Sequence, residues 1–254
     1  MTQNSNHPPA VTGPTRNLVI FLQKLILLLA RHWRFSANLI AGVILGLGVL
    51  APILMALELT EAGQAVYGFL APHNHQLPQR SYFLFGQAGR LQTYSLEQLL
   101  SWGADPNRLQ AFVGNPEIGF KMALNHRMTA IFIAIFGGGI SWGLAGGRPR
   151  LGPIWFLALM LPLLIDGFSH VISENSGQGF RESNVWAVSL TGGAFSTEFY
   201  EGNTLGSLNW LLRTVTGLLF GLGLVWFLYP YLSYRFTAIQ ARLEPKLRRI
   251  GAIK

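Results

Sequence analysis

Four long apolar runs limit the fold of this 254-residue chain more than any other feature. Each run is close to the roughly 20 residues that a helix needs to cross a hydrocarbon core of about 30 Å. Half of the residues are hydrophobic and only 12% are charged, which is typical of helical membrane proteins. The sequence therefore predicts an all-α membrane protein with four transmembrane helices. The predicted spans are about Phe35 to Leu57, Met128 to Ala145, Ile154 to Val171 and Leu208 to Tyr231.

The N-terminal region differs from these spans. Residues 1–15 are rich in Pro, Asn and Thr and are predicted to form a disordered tail. The apolar stretch at residues 18–30 is short for a span, and basic side chains occupy one face of its helical wheel. We expect residues 16–34 to form an amphipathic helix that lies in the membrane interface. A fifth, tilted span in which Lys24 reaches the interface is the alternative.

Positive charge is distributed unevenly between the two sides that four spans define. The net charge is +8, and twelve of the nineteen Lys and Arg residues fall on the side that holds both termini and the 146–151 turn. The positive-inside rule therefore predicts a multi-pass plasma membrane protein with both termini in the cytoplasm. The same distribution explains the basic excess without nucleic acid, for which no aromatic and basic platform is present. We expect a four-span membrane domain at 35–234, which includes an outer cap at 58–127, and a basic cytoplasmic tail at 235–254.

The outer cap is predicted to be partly helical. Ser95 and Gln98 form a capping-box pattern at the start of a short helix, and Asp105-Pro106 indicates another. Asn115-Pro116-Glu117 is interpreted as the start of a helix that continues into the second span. The second outer loop, residues 172–207, is predicted to be irregular.

Ionisable residues recur near the outer ends of the predicted spans. Asp166 and His170 lie one helical turn apart, and charged groups at such depth are costly unless they pair or form a site. Helix rise puts Asp166 and Arg213 at nearly the same height, so we expect a buried ion pair between them. The candidate polar cluster comprises His73, His75, Arg80, His126, Arg127, Asp166, His170 and Arg213.

Four short motifs resemble, in the same order, those of a family of small prokaryotic membrane proteins of unknown function. The segment from His73 to Phe83 resembles Cys-His-Gln-x-x-x-Arg-Ser-x-Phe, and Asn125 to Phe132 resembles Cys-x-Arg-Cys-Thr-Gly-x-Tyr. The third motif, Pro-x-x-x-Asp-Gly, corresponds to residues 161–167, and the fourth, Ser-x-Asn-x-x-Leu-Arg-x-x-Thr-Gly, to residues 207–217. The resemblance covers about residues 72–221 and implies a membrane fold with a polar site, but no established activity.

All three cysteines of these motifs are absent, because Asn74, Asn125 and Met128 stand in their places. The chain contains no cysteine, so disulfides, thiolate metal ligands and thiol catalysis are excluded. What the resemblance retains supports hydrogen bonding and charge pairing, and it adds Ser81 and Asn209 to the polar cluster. The retained residues are His75, Arg80, Ser81, Arg127, Thr129, Asp166, Asn209, Arg213 and Thr216.

These features support three hypotheses of function. The leading one is a non-catalytic accessory or interaction subunit whose cap binds another membrane protein or forms a homo-oligomer in the lipid bilayer. The second is an ion- or small-solute-binding transporter component that uses Asp166 and His170. The third is a membrane enzyme, although no complete catalytic motif is present. We expect no cofactor and no metal; the side chains that could hold a metal are His73, His75, His126, His170 and Asp166.

Glycines spaced four residues apart permit close contacts between helices. Such pairs occur at Gly42 with Gly46 and at Gly217 with Gly221. Packing within the chain and dimerisation explain them equally well.

Overall fold

The computed structural model describes residues 13–254, apart from the side chain of His73. Most of the predicted N-terminal tail therefore lies outside the described residues, while residues 13–15 belong to the first helix. Within the described range the chain forms nine α-helices, three β-strands and short 3₁₀ turns. The helices are α1 (Gly13–Ala56), α2 (Thr60–Leu70), α3 (Leu96–Ser101), α4 (His126–Leu144), α5 (Pro153–Asn175), α6 (Phe180–Ser183), α7 (Val185–Thr191), α8 (Thr197–Tyr200) and α9 (Leu208–Arg249). The strands are β1 (Ser81–Leu84), β2 (Gly114–Asn115) and β3 (Gly119–Asn125).

Four of these helices, α1, α4, α5 and α9, are long and apolar enough to cross a membrane. Their surfaces carry large apolar side chains that the described part of the chain leaves uncovered, such as Leu144 and Ile154, which are 85% and 78% exposed. Apolar groups in that position are stable in contact with lipid. The prediction of an all-α membrane protein with four spanning helices is therefore confirmed.

Contacts divide the chain into two units, of which the first comprises residues 1–37 and 230–254. In its described part, the ring of Trp33 stacks on that of Phe236 with centroids 5.7 Å apart, and Arg31 pairs with Glu244 at 2.9 Å. The backbone of His32 leaves the helical region, so α1 is kinked there. The predicted interfacial segment 16–34 is helical, but whether it lies in the interface or spans the bilayer stays a prediction.

The second unit comprises residues 38–229 and holds the remaining parts of α1 and α9 together with all the other elements. Helix α9 approaches α4 closely at two glycines. A Cβ atom on Gly217 would lie 2.9 Å from the carbonyl oxygen of Arg127, and one on Gly221 would lie 2.6 Å from that of Ile131. The pair Gly217 and Gly221 is thus explained by packing within the chain.

The cap contains a three-stranded antiparallel sheet in the order β1-β3-β2, which the sequence did not predict. The prediction of a helix from residue 115 into the second span is wrong, because residues 119–125 form β3 and the helix begins at His126. The side chain of Asn115 instead accepts from the backbone N–H groups of Glu117 and Ile118 and closes a turn. Gly114 and Gly119 have positive φ angles that glycine adopts readily, so the chain reverses here into a hairpin.

Two further local predictions need correction, and one is confirmed. The capping box of Ser95 and Gln98 is present at the start of α3. Asp105-Pro106 is followed by a turn and one 3₁₀ helix at Leu109–Ala111, because the carboxylate of Asp105 accepts from the N–H of Asn107 and favours a turn. The second loop is not irregular, since it contains α6, α7 and α8.

Candidate functional site

A polar cleft of about 440 Å³ lies in the second unit where the cap meets α4, α5 and α9. Its walls come from segments that are far apart in sequence and that the sheet and the helix packing bring together. The residues that line the cleft are Asn74, His75, Leu77, Arg80, Gln110, Asn125, Arg127, Met128, Gly167, His170, Val171, Glu174 and Arg213. Five predicted cluster residues are among them: His75, Arg80, Arg127, His170 and Arg213.

Asp166 lies behind this wall and holds two arginines. Arg127 of α4 donates to its Oδ2 at 2.5 Å, and Arg181 of α6 donates to its Oδ1 at 2.7 Å. The carboxylate is buried, with only 4% of the side chain exposed, so both contacts are charge-assisted bonds in a poorly solvated place. Gly167 leaves room for this arrangement, since a Cβ there would lie 3.3 Å from a guanidinium nitrogen of Arg127.

The predicted ion pair between Asp166 and Arg213 is wrong in this geometry, because His170 and Arg181 occupy the space beside Asp166. The guanidinium of Arg213 lies 3.1 Å from Nε2 of His170 and donates to the side-chain oxygen of Asn203. Among the described residues, no carboxylate oxygen lies within 4.0 Å of it. Arg213 is 3% exposed, so it is a buried cation without a carboxylate in contact.

His170 lies between two guanidinium groups. Its Nε2 is 3.2 Å from Arg181 and 3.1 Å from Arg213, whereas Oδ1 of Asp166 is 3.8 Å away. The last distance exceeds that of a hydrogen bond, so Asp166 and His170 do not form a hydrogen-bonded acid-base dyad in this arrangement.

Arg181 is the main site residue that sequence reasoning missed, because it lies in a loop that was expected to be irregular. Its backbone N–H donates to Ser173 Oγ at 2.9 Å, and its carbonyl accepts from Asn209 Nδ2 at 2.5 Å. Asn184 also donates to that carbonyl at 3.1 Å. Burial lowers the pKa of Arg181 from its ordinary value, and Asp166 acts in the opposite direction. In the sequence, Arg181 stands out only as the single basic residue of residues 172–207.

The other predicted cluster residues have positioning roles in this geometry. Asn209 also donates to the carbonyl of Gly202 and so fixes the loop that carries Arg181. Ser81 donates to the carbonyl of Leu77 at 3.0 Å. His126 is fully buried beside the ring of Tyr82, with centroids 4.4 Å apart, and does not line the cleft. The side chain of His73 lies outside the described residues.

The three positions at which the resembled motifs have cysteines all line the cleft. Asn125 donates to the side-chain oxygen of Asn74 at 2.5 Å, and Asn125 also caps α4 by accepting from the N–H of Met128. Asn74 in turn donates to the carbonyl of Ala123 at 2.6 Å. These contacts join the loop before β1 to the start of α4, so they determine the shape of one cleft wall.

A second wall depends on Lys121 of β3, which is fully buried. Its ammonium group donates to the carbonyl oxygens of Gln76 at 2.9 Å and of Gln110 at 2.6 Å, and it lies 5.7 Å from the ring centroid of Tyr67. Burial lowers the pKa of Lys121 to about 7. The amine thereby ties together two cap segments that contribute lining residues to the cleft.

The site combines an excess of positive charge with a lack of metal ligands. Among the described residues, four arginines, Arg80, Arg127, Arg181 and Arg213, lie at the site, and the carboxylates in salt-bridge contact with them are those of Asp166 and Glu174. Within the described part of the chain, no group of three or more His, Asp or Glu side chains could hold a metal ion. Guanidinium groups that face a cleft recognise carboxylates and phosphates.

Part of the chain matches a known family model. Residues 118–227 match the model of a family described as "Predicted membrane protein (DUF2085)". No curated protein and no solved structure matches the chain. The matched segment contains β3, α4, α5 and the first part of α9, and with them Arg127, Asp166, Arg181 and Arg213. Over less than half of its length, the chain is therefore similar to an uncharacterised family of predicted membrane proteins.

Proposed function

We propose that this membrane protein is a non-catalytic binding component that takes up a small organic anion in the polar cleft. Arg213 is the observation that carries the proposal. A guanidinium group is always charged, and burying it without a carboxylate in contact is costly, most of all beside a bilayer. An anionic ligand in the cleft would supply the missing partner.

The size and composition of the cleft support a ligand larger than a simple inorganic ion. Its volume of about 440 Å³ is within the range of sites for small organic molecules. Leu77, Met128 and Val171 give it an apolar part, whereas Asn74 and Gln110 add amide groups. The ligand that best matches these walls carries an oxyanion on a short organic body.

This proposal changes the second hypothesis drawn from the sequence. Both carboxylate oxygens of Asp166 accept from arginines, so Asp166 is not free to bind a cation. The ligand would instead be an anion recognised by Arg80, Arg127 and Arg213. The proposal agrees with the leading hypothesis of an accessory subunit in that neither involves catalysis. It also keeps an outer position of the cap and a partner in the membrane.

The test is equilibrium binding to the purified protein in lipid nanodiscs. The probes are inorganic phosphate, glycerol 3-phosphate, succinate and, as an uncharged control, glycerol, all at one ionic strength. We expect one of the anions to bind, Arg213→Gln to weaken its binding at least tenfold, and Arg108→Gln, which removes an exposed charge from the cap, to change it little.

Arg80→Gln is a second test if the buried substitution impairs folding, because Arg80 also lines the cleft and is less deeply buried than Arg213. A thermal unfolding midpoint measured for each variant distinguishes lost binding from lost structure. Failure of all the anions to bind to the folded wild-type protein would contradict the proposal.

A further inference from the structure

Glu174 differs from the other acid of the site in its position. It is the only acidic residue among the described residues that line the cleft, and it lies in the last turn of α5. Its carboxylate accepts a hydrogen bond from the guanidinium of Arg80. The side chain of Glu174 is 49% exposed, whereas that of Asp166 is 4% exposed. Glu174 therefore has access to solvent, and Asp166 does not.

The two carboxylates also differ in how easily their contacts can be exchanged. The buried contacts of Asp166 with Arg127 and Arg181 can be broken only at a high cost in free energy. In the contact between Glu174 and Arg80 the carboxylate is half exposed, so water solvates Glu174 once it is displaced, and an oxyanion that takes its place pairs with the largely buried Arg80. The contact between Glu174 and Arg80 is thus the one at which an incoming oxyanion can replace a protein carboxylate at small cost.

We propose that Glu174 occupies part of the anion site in the unliganded protein and that the ligand displaces it from Arg80. The inference rests on the proposed function of anion binding and adds the class of ligand. With Glu174 displaced, two cleft arginines, Arg80 and Arg213, have no carboxylate in contact. The matching ligand is an organic oxyanion with two negative charges, either a dicarboxylate or a phosphate monoester.

Removal of the competing carboxylate tests this inference through a gain of affinity. In Glu174→Gln the side chain keeps its size but loses its charge, so we expect the favoured divalent probe to bind about three- to tenfold more tightly. Acetate, which carries a single charge, should bind weakly to both proteins. Succinate and glycerol 3-phosphate, compared side by side, distinguish the two kinds of oxyanion.

Glu182→Gln is the matched control. Glu182 is an exposed acid of α6 that does not line the cleft, so this variant loses the same charge near the site without freeing Arg80. An increase in affinity confined to Glu174→Gln, and abolished when Arg80→Gln is added, supports the displacement.

The outcomes separate this inference from the proposed function. In one outcome, Glu174→Gln binds the probe no more tightly than the wild-type protein does, while Arg213→Gln still binds it more weakly. That result overturns the role of Glu174 and leaves the anion site in place. An equal gain in Glu182→Gln also overturns it, since the effect would then come from net charge alone. Failure of both the wild-type protein and Glu174→Gln to bind any anion overturns both proposals.

Discussion

The two oxygens of Asp166 accept from different arginines, so one carboxylate holds Arg127 of α4 and Arg181 of α6 in place. Each guanidinium alone would be costly to bury, and the carboxylate without them would be costly too. The arrangement is therefore specific, since each of the three groups needs at least one of the others. It also positions Arg127 in the cleft wall, where the proposed ligand would meet it.

Replacement of Asp166 by Asn should destabilise the protein strongly. The substitution leaves two guanidinium groups without a carboxylate, and the loss of one partner from a buried pair costs about 3–5 kcal/mol. Arg127→Gln should cost less, because Asp166 keeps its contact with Arg181. The measurement is the free energy of unfolding, or the thermal midpoint, in detergent.

Glu117→Gln is the control for that experiment, since Glu117 is exposed and its substitution removes a charge of the same sign. If Asp166→Asn is as stable as this control, the carboxylate does not hold the two arginines.

Lys121 should make stability depend on pH. Burial lowers its pKa in the folded protein to about 7, below its ordinary value. Between those two values the unfolded chain binds a proton that the folded protein has released, so stability rises with pH. The expected slope approaches about 1.4 kcal/mol per pH unit between pH 7 and pH 9. Thermal midpoints across this range measure it.

Lys121→Met should flatten this slope while it lowers stability, because the carbonyl oxygens of Gln76 and Gln110 lose their donor. Lys246→Met, an exposed lysine of α9, should keep the wild-type slope. Equal slopes in all three proteins would show that Lys121 does not titrate in this range.

At the scale of elements, the hairpin of β2 and β3 places the start of α4 beside the cleft. A helix across residues 117–125 would have carried Lys121 on a surface one turn from Glu117. In the strand, Lys121 is instead fully buried. The closest approach in the hairpin is at Gly114, where a Cβ would lie 2.0 Å from the carbonyl oxygen of Gly119. Two glycines with positive φ angles and the Asn115 turn thus override the helical pattern.

Close packing of α9 on α4 predicts unequal effects of two glycine substitutions. In Gly221→Ala the new Cβ would meet the carbonyl oxygen of Ile131 at 2.6 Å and the Cβ of Ala134 at 2.7 Å. Neither contact can be relieved by rotation of a side chain, so we expect a loss of about 1–3 kcal/mol. Detergent unfolding of the variants measures this loss.

Gly46→Ala is the matched control in α1, because nothing lies within 4 Å of a Cβ at that position. Alanine has the higher helix propensity, so this variant should be as stable as the wild type or slightly more stable. If Gly221→Ala is equally well tolerated, α9 and α4 are not in close contact.

At the scale of the whole molecule, the distribution of charge predicts orientation. The termini and the 146–151 turn carry twelve of nineteen cations and only one of eleven acids. This asymmetry favours a cytoplasmic position for both termini and the opposite side for the cap. The cleft, which the cap helps to form, would then be accessible from outside the cytoplasm.

Single cysteines in this cysteine-free chain can test that orientation. Ala88 and Lys254 are both exposed, so Ala88→Cys and Lys254→Cys should not disturb the fold. A membrane-impermeant thiol reagent applied to intact cells should label the first and not the second, and permeabilised cells should label both. The reverse pattern would show that the topology is inverted.

The sequence by itself determined the class of the protein and the presence of a polar site. The apolar runs are long and continuous, and a bilayer leaves a helix as the only conformation in which each span satisfies its own backbone groups. The count of four spanning helices followed directly. Ionisable residues such as Asp166 and Arg213 were identified as unusual because their cost in an apolar environment is large whatever their partners are.

Only the tertiary structure decided which of these groups meet. Height along a helix placed Asp166 level with Arg213, but height does not fix the direction in which a side chain points, and His170 lies between them. Arg181 came from a loop of three short helices whose position depends on hydrogen bonds to Ser173 and Asn209, and no local pattern encodes such bonds. Helix propensity and spacing act within a few residues, whereas a site of this kind is formed by contacts between segments far apart in the chain.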